Sequence, residues 1–126
     1  KIEARMLYIQ NQNVIYPIQC AKVSHILASN RSMEVCLNNG GKYPVRYVTL
    51  QQLLEAADVW YFLQCSRSGI INANYVRNID YTNRVITMCN SDQIAIGSTY
   101  VRSLHEQFPT MQELWQRRQN RCMFFE

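Results

Sequence analysis

The chain lacks the patterns of membrane, zinc-binding and secreted proteins. No apolar run approaches the roughly 18 residues that a membrane-spanning helix requires, and the first residues do not form a secretory signal peptide. The chain has only two histidines, and its five cysteines include no C-x-x-C pair, so no ligand set has the spacing of a zinc site. We therefore expect a cytoplasmic protein with no membrane partner, no metal and no cofactor.

The cysteines allow two interpretations. Their odd number and scattered positions favour buried thiols in a reducing cytosol. The alternative is a redox pair between Cys65 and Cys89, which requires their strands to be neighbours. A hydrolase that uses Cys65 with His25 or His105 lacks a third orienting group and an oxyanion loop, so no enzyme activity is predicted.

Length and charge are consistent with a small nucleic-acid binder. The 126 residues are enough for one domain with a short appendage, and we place the domain at residues 1–107 and a C-terminal helical extension at 108–126. Because the chain opens at Lys1, we expect it to be a fragment or a processed chain. The net charge is +4, with ten arginines against three lysines. Arginine offers a planar fork for phosphates and guanine edges, although proteins with other functions share this mild charge.

Turn signals divide most of the chain into short strands. Asn and Gly at positions 38–41 form a strong tight-turn signal because both tolerate positive φ, and Pro44 indicates that its strand lies at a sheet edge. Strands are predicted over residues 4–10, 14–18, 23–28, 33–37, 43–48, 62–65, 76–81, 85–89 and 94–96. The predicted fold class is therefore mainly β, with one or two short helices.

Helix signals occur at three places. The spacing of Thr49 and Gln52 matches a capping box before an apolar stripe that reaches Ala57. Ser98 is expected to cap a second helix. A second capping box at Thr110 predicts a further short helix, whose arginines 117, 118 and 121 form a solvated face or add non-specific phosphate attraction.

Three polar loops between the strands are candidate contact sites. They lie at residues 29–32, 66–68 and 97–100, the last leading to Arg102. Their hydroxyl, amide and guanidinium groups can bind phosphates and base edges. The alternative is that these loops are ordinary solvated turns, in which Ser, Asn and Arg are common. The candidate DNA-binding residues are Asn30, Arg31, Ser66, Arg67, Ser68, Ser98, Thr99 and Arg102.

Several other side chains are predicted to be structural or to contact a partner. The Asn72 amide is expected to cap the turn that follows it. His25 lies in an apolar run and is expected to be a core residue, whereas His105 is expected on a helix surface. The aromatic residues of the tail, Trp115, Phe124 and Phe125, either pack on the sheet or mark a partner surface.

The segment from Phe62 to Asn72, FLQCSRSGIIN, resembles the core signature of the LytTR family of bacterial DNA-binding domains. That signature has Phe, two or three further residues, a basic or polar residue, Ser, an apolar triplet and Asn. The resemblance extends over roughly residues 6–104, with further landmarks at residues 23–28, 50–57, 75–79 and 85–96.

This resemblance implies both a fold and a function. It implies an elongated arrangement of small antiparallel β-sheets that inserts loops into successive major grooves of double-stranded DNA. On that pattern Arg31 lies in the first contact loop, Arg67 in the second and Thr99 in the third. The expected function is sequence-specific DNA binding as the output domain of a bacterial transcriptional response regulator of a two-component system. The resemblance also implies an upstream receiver or sensor domain. Because a single domain reads few bases, we further expect two copies on a directly repeated site.

One departure from the family pattern keeps an alternative function open. Gly97 and Ser98 stand where the family often has Ser-Arg, so the third loop lacks that guanidinium unless Arg102 replaces it. The alternative is a β-rich protein-interaction or sensory module that does not bind DNA.

Overall fold

Strands form most of the described chain, as expected. The computed structural model describes residues 5–30 and 32–125. Its strands are β1 (Met6–Asn11), β2 (Val14–Gln19), β3 (Val23–Ser29), β4 (Ser32–Leu37), β5 (Lys42–Val45), β6 (Phe62–Ser66), β7 (Gly69–Asn72), β8 (Val76–Asp80), β9 (Val85–Met88) and β10 (Gln93–Ala95). Its α-helices are α1 (Leu50–Ala57), α2 (Val101–Gln107) and α3 (Met111–Phe125). The mainly-β prediction is confirmed, while α3, at 15 residues, is longer than predicted.

The strands form three antiparallel sheets. β1 and β2 make a hairpin, and β8, β9 and β10 make a three-stranded sheet with β9 in the centre. The central sheet has five strands in the order β5-β4-β3-β7-β6. The turn at Asn38 to Gly41 joins β4 to β5 with Gly40 at φ +95, as predicted, and Pro44 lies on an edge strand, as predicted.

Two hydrophobic cores lie on opposite faces of the central sheet. Alternate residues of a strand point to opposite faces, so Ile70 joins one core and its neighbour Ile71 joins the other. The first core receives α1 and the β1–β2 hairpin. The second core receives the three-stranded sheet and Leu104 of α2.

Helix α1 begins at the predicted capping box. The Gln52 N–H donates to Thr49 Oγ1 at 3.1 Å, and the Thr49 N–H donates to Gln52 Oε1 at 3.0 Å. These two bonds satisfy donors that the first helical turn leaves free. The helix ends at Asp58, whose φ of +48 is the left-handed conformation usual at helix C-termini.

Side-chain hydrogen bonds close the end of the central sheet where β7 finishes. Asn72 is fully buried; its Nδ2 donates to the Val23 carbonyl at 2.8 Å, and its Oδ1 accepts from the Asn74 N–H at 2.9 Å. The predicted capping role of Asn72 is confirmed. Tyr75 adds a bond from its hydroxyl to the Ala21 carbonyl at 2.7 Å.

His25 links the central sheet to the three-stranded sheet. Its ring is 2% exposed, which confirms its place in the core. One ring nitrogen lies 3.0 Å from Ser24 Oγ and the other lies 3.6 Å from Asp92 Oδ2. Burial lowers the pKa of His25, and the Asp92 carboxylate opposes part of that shift.

The region around α2 departs from two predictions. Ser98 does not cap α2, because it begins a 3-10 turn (Ser98–Tyr100) whose capping residue is Gly97. His105 is half-buried instead of lying freely on the surface, since its ring stacks on Tyr81 with centroids 3.8 Å apart. Its Nδ1 also lies 2.7 Å from Glu113 Oε1.

Helix α3 begins at the predicted capping box and is exposed along its described side chains. Glu113 and Thr110 exchange the two capping bonds, at 2.9 and 3.2 Å, and the Thr110 N–H, followed by the His105 ring, holds the pKa of the Glu113 carboxyl below its usual value. Met111 is 80% and Trp115 58% exposed, so Trp115 does not pack on the sheet. The side chains of Phe124 and Phe125 lie outside the described part. The boundary at residue 107 stays a prediction.

Candidate nucleic-acid interface

The three candidate loops meet at one end of the central sheet, opposite the end that Asn72 closes. The β3–β4 turn follows Ser29, the β6–β7 turn follows Ser66, and the 3-10 turn precedes α2. The pairs Ser29↔Ser32 and Leu27↔Gly69 place the first two turns side by side. We call this edge the contact rim and define it as residues 29–30, 32, 66–68, 97–100 and 102.

The β6–β7 turn places Arg67 at its exposed tip. Ser66 pairs with Gly69, which leaves Arg67 and Ser68 as the two turn residues. Ser66 Oγ accepts from the Ser68 N–H at 3.2 Å, a local bond that favours the turn. A Cβ at Gly69 would lie 3.1 Å from Ser66 Oγ and 3.2 Å from Cys65 Sγ, so glycine permits the tight closure. Arg67 is thereby presented to solvent on a fixed support.

Backbone hydrogen bonds join the neighbouring loops to this turn. The Ala28 N–H donates to the Ser68 carbonyl at 2.8 Å, and the Gly97 N–H donates to the Cys65 carbonyl at 2.8 Å. A Cβ at Gly97 would lie 3.1 Å from Tyr100 Cδ2 and 3.4 Å from the Ser66 Cα. The residue that departs from the family pattern is therefore the one that lets the third loop lie directly against β6.

The third loop presents Ser98 and Thr99 in its exposed 3-10 turn, and Arg102 follows exposed in the first turn of α2. Its backbone is tied by the Tyr100 N–H, which donates to the Gly97 carbonyl at 2.9 Å. The hydroxyl groups and the guanidinium of this loop therefore share the side of the molecule on which Arg67 lies.

The first loop connects the paired residues Ser29 and Ser32, and Asn30 is its described residue. Asn30 is exposed and has a φ of +49, a conformation that asparagine tolerates better than most residues. Ser32 Oγ donates to the Ser29 carbonyl at 3.2 Å across the base of the turn. Arg31, the predicted contact of this loop, lies outside the described residues.

The rim arginines are not neutralised by carboxylates. Arg67 and Arg102 are exposed, and the ion pairs found among described side chains both involve histidines, not these arginines. Exposed, unpaired guanidinium groups can bind phosphates and base edges in bidentate geometry. The rim is thus chemically suited to a polyanion.

The cysteines and the remaining candidate chemistries do not form a second site in the described residues. Cys20, Cys36, Cys65 and Cys89 are free thiols, and burial raises the pKa of Cys65 to about 11, so Cys65 is not a thiolate nucleophile at neutral pH. Within the ranges that the structure describes, no cluster of three metal-ligating side chains occurs. No described helix combines the length and apolar character needed to cross a bilayer.

Two residues on the same edge were missed by the sequence analysis. Arg46 and Tyr47 directly follow β5, and the pair Met33↔Val45 places them beside the β3–β4 turn. Both are exposed, and with Ser29, Asn30 and Ser32 they line an open depression of about 530 Å³. The sequence could have indicated this position. The β3–β4 and β4–β5 hairpins follow each other directly, so the end of β5 lies next to the β3–β4 turn.

Comparisons with known proteins agree with this architecture. A family model described as the LytTr DNA-binding domain matches residues 13–109. Among solved structures, the LytTr DNA-binding domain of a protein assigned as a methyl-accepting/DNA response regulator from Bacillus cereus matches with a TM-score of 0.69 at 18% identity. The match covers 86% of this chain and 99% of that one. No curated protein matches the chain. At this identity the structural match establishes the fold alone.

Proposed function

The chain belongs to the LytTR family of DNA-binding domains, and we propose that it binds double-stranded DNA sequence-specifically through the contact rim. The family model matches most of the chain. The observation that carries the proposal is the joining of three polar loops at one sheet end, with Arg67 and Arg102 exposed and without ion-pair partners among the described residues. The site residues proposed are those predicted from the sequence: Asn30, Arg31, Ser66, Arg67, Ser68, Ser98, Thr99 and Arg102.

Arg67 is the central base-reading residue of this proposal. A guanidinium that binds the O6 and N7 atoms of guanine contributes about 1–3 kcal/mol of discrimination against the wrong base. Ser66, Ser68, Ser98 and Thr99 supply hydroxyl donors for phosphates and base edges around it. Arg102 takes the place of the guanidinium that the family often carries at Ser98.

The width of the rim supports the number of grooves and copies that we propose. The rim reaches from β4 to β6, which are three spacings of about 4.8 Å apart, or about 14 Å in total. The exposed side chains of Arg67 and Arg102 lengthen its reach toward the about 34 Å of one helical turn. The loops of one domain can therefore approach successive major grooves. Because one domain contacts so short a site, we propose that two copies bind directly repeated sites.

The family and one similar structure support the biological setting that we propose. The similar Bacillus cereus domain comes from a protein assigned as a response regulator. We propose the same setting here: the output domain of a bacterial transcriptional regulator in the cytoplasm, coupled to a receiver domain. Neither a cofactor nor catalysis is part of the proposed mechanism.

Selection of bound duplexes from a random DNA library tests this function. At near-physiological salt, we expect an enriched motif that repeats about one helical turn apart. The Arg67→Ala variant should lose that enrichment, whereas Arg77→Ala, which removes an exposed arginine on β8, should retain it.

The competing function is a protein-interaction module, and the exposed apolar residues of α3 are the observation in its favour. Met111 and Trp115 are largely exposed on one helix. Failure of the unaltered chain to retain any duplex would favour this alternative. Retention without an enriched motif would instead indicate a non-specific basic surface.

A further inference from the structure

Arg46 and Tyr47 extend the edge that carries the contact rim, beyond every residue assigned to it above. β5 is the outermost strand on its side of the central sheet, and both residues follow its last residue, Val45. In the sheet order, β5 lies three to four strand spacings from the turn that carries Arg67. At about 4.8 Å per spacing the separation is about 17 Å, or half of one helical turn of DNA.

The backbone of Tyr47 is strained, and packing of its side chain within the described protein does not offset that strain. Tyr47 has a φ of +66, in the left-handed region that bulky side chains rarely adopt. Among the described residues, the other non-glycine residues at positive φ are Gln12, Asn30, Asp58, Arg84 and Ser91, none of them aromatic. Tyr47 is also 99% exposed, so packing within the described protein does not stabilise its ring. Strain of this kind at an exposed residue is typical of binding sites.

The surroundings of these residues suit a sugar–phosphate backbone. Arg46 and Tyr47 line the depression beside the β3–β4 turn and also a second one, of about 710 Å³, next to the β1–β2 hairpin. Arg46 and Tyr47 therefore form the ridge between the two depressions. Arg46 is exposed, and no carboxylate among the described residues pairs with it. An arginine guanidinium and a tyrosine hydroxyl are groups that contact phosphate oxygens in protein–DNA complexes.

We propose that Arg46 and Tyr47 anchor the DNA backbone at the β5 end of the rim. Arg46 neutralises one phosphate, and Tyr47 places its ring against the adjacent sugar and donates its hydroxyl to a neighbouring phosphate. This inference rests on the proposed DNA-binding function. It adds a contact that positions the duplex and does not read its sequence.

The test measures DNA affinity at several salt concentrations with the full chain. The probes are the duplex enriched by selection and a mixed-sequence duplex of equal length. Arg46→Ala should weaken binding to both duplexes by the same factor, roughly three- to tenfold, and should lower the slope of log affinity against log salt by about one. Arg77→Ala is the matched control, because it removes an arginine at the far end of the three-stranded sheet, and it should change neither quantity.

Tyr47→Gly separates binding from folding. Glycine adopts a φ of +66 without steric cost, so the thermal midpoint should stay equal or rise while DNA affinity falls. If the hydroxyl contributes, the DNA affinity of Tyr47→Phe should lie between that of the unaltered chain and that of Tyr47→Gly. A structural role for Tyr47 predicts the opposite result, a lower thermal midpoint with unchanged affinity.

The outcomes distinguish this inference from the proposed function. Suppose that Arg46→Ala and Tyr47→Gly bind DNA as tightly as the unaltered chain, while Arg67→Ala binds more weakly. That result would overturn the backbone anchor and leave the DNA-binding function standing. If the unaltered chain binds neither duplex, both proposals fail together. A loss confined to the selected duplex would overturn the anchor as well, because a phosphate contact cannot depend on base sequence in this way.

Discussion

At one end of the central sheet Asn72 is fully buried, and its amide oxygen and nitrogen are both bonded within the protein; at the other end Arg67 is exposed and has no ion-pair partner among the described residues. The same strands, β7 and β6, support both ends. Where polar groups are bonded internally, their loss costs stability. Where they face solvent, their loss costs stability little and affects only what binds there. The buried end therefore contributes to stability, and the exposed end is the proposed contact surface. The four residues of β7 lie between them.

The largest effect is expected at the buried end. Asn72→Ala removes the donor to the Val23 carbonyl and the acceptor for the Asn74 N–H, and it leaves both groups without these bonds. We expect a loss of about 2–4 kcal/mol in the free energy of unfolding, measured by urea denaturation. Asn78→Ala, on the exposed side of β8, is the matched control and should cost far less. Equal losses in the two variants would contradict the comparison.

Arg67→Ala should produce the reverse pattern. The unfolding free energy should stay within about 0.5 kcal/mol of the unaltered chain, as for most surface substitutions, while binding to the selected duplex should weaken by about 1–3 kcal/mol. Fluorescence anisotropy and urea denaturation on the same samples measure both. A stability loss as large as that of Asn72→Ala would show that the rim also stabilises the fold.

Lower pH should reduce the contribution of the buried end to the free energy of unfolding. The charges facing His25 are Asp92, Glu34 and Lys42, but burial dominates and lowers its pKa below the ordinary 6.5. A depressed folded-state pKa favours folding above the unfolded-state value, so this contribution is fully present above about pH 6.5 and is lost as pH falls through the folded-state pKa. Urea denaturation between pH 7 and pH 5 should show a decline, and His25→Gln should show a shallower one. Parallel pH profiles would contradict this assignment.

The smallest effect is expected inside the rim itself. Ser66→Ala removes the acceptor for the Ser68 N–H in the turn that carries Arg67. We expect a loss of roughly 0.5–1 kcal/mol in unfolding free energy and a modest loss of DNA affinity, because Arg67 is held less firmly. Ser68→Ala keeps this hydrogen bond, since its donor is a backbone group, and serves as the control for stability. A larger stability loss in Ser68→Ala would reverse the roles of the two serines.

Local patterns predicted the strands and their turns well. Asn38 to Gly41 carries the amide and glycine residues that a tight turn needs, and Thr49 and Gln52 form the capping bonds that their spacing predicts. These features depend on residues a few positions apart, so physical chemistry along the chain determines them. Ser98 shows the limit of this reasoning, because three residues of 3-10 turn intervene before α2 begins.

Long-range pairing was beyond the sequence analysis. β3 pairs with β7 through His25↔Ile71, and no turn signal connects positions so far apart in the chain. The stacking of His105 on Tyr81 likewise depends on how α2 packs on the second core. Arg46 and Tyr47 differ from these cases, because the order of the hairpins already places the end of β5 beside the β3–β4 turn.

Both edges of the central sheet carry an interruption that disfavours pairing with a further strand. On β5, Pro44 has no N–H to donate and interrupts the row of hydrogen-bond donors. On β6, the Gly97 N–H already occupies the Cys65 carbonyl. A sheet with free edges would invite neighbouring copies to join it strand to strand and aggregate. If two copies bind adjacent sites on one duplex, as proposed, these interruptions disfavour strand-to-strand pairing between their central sheets.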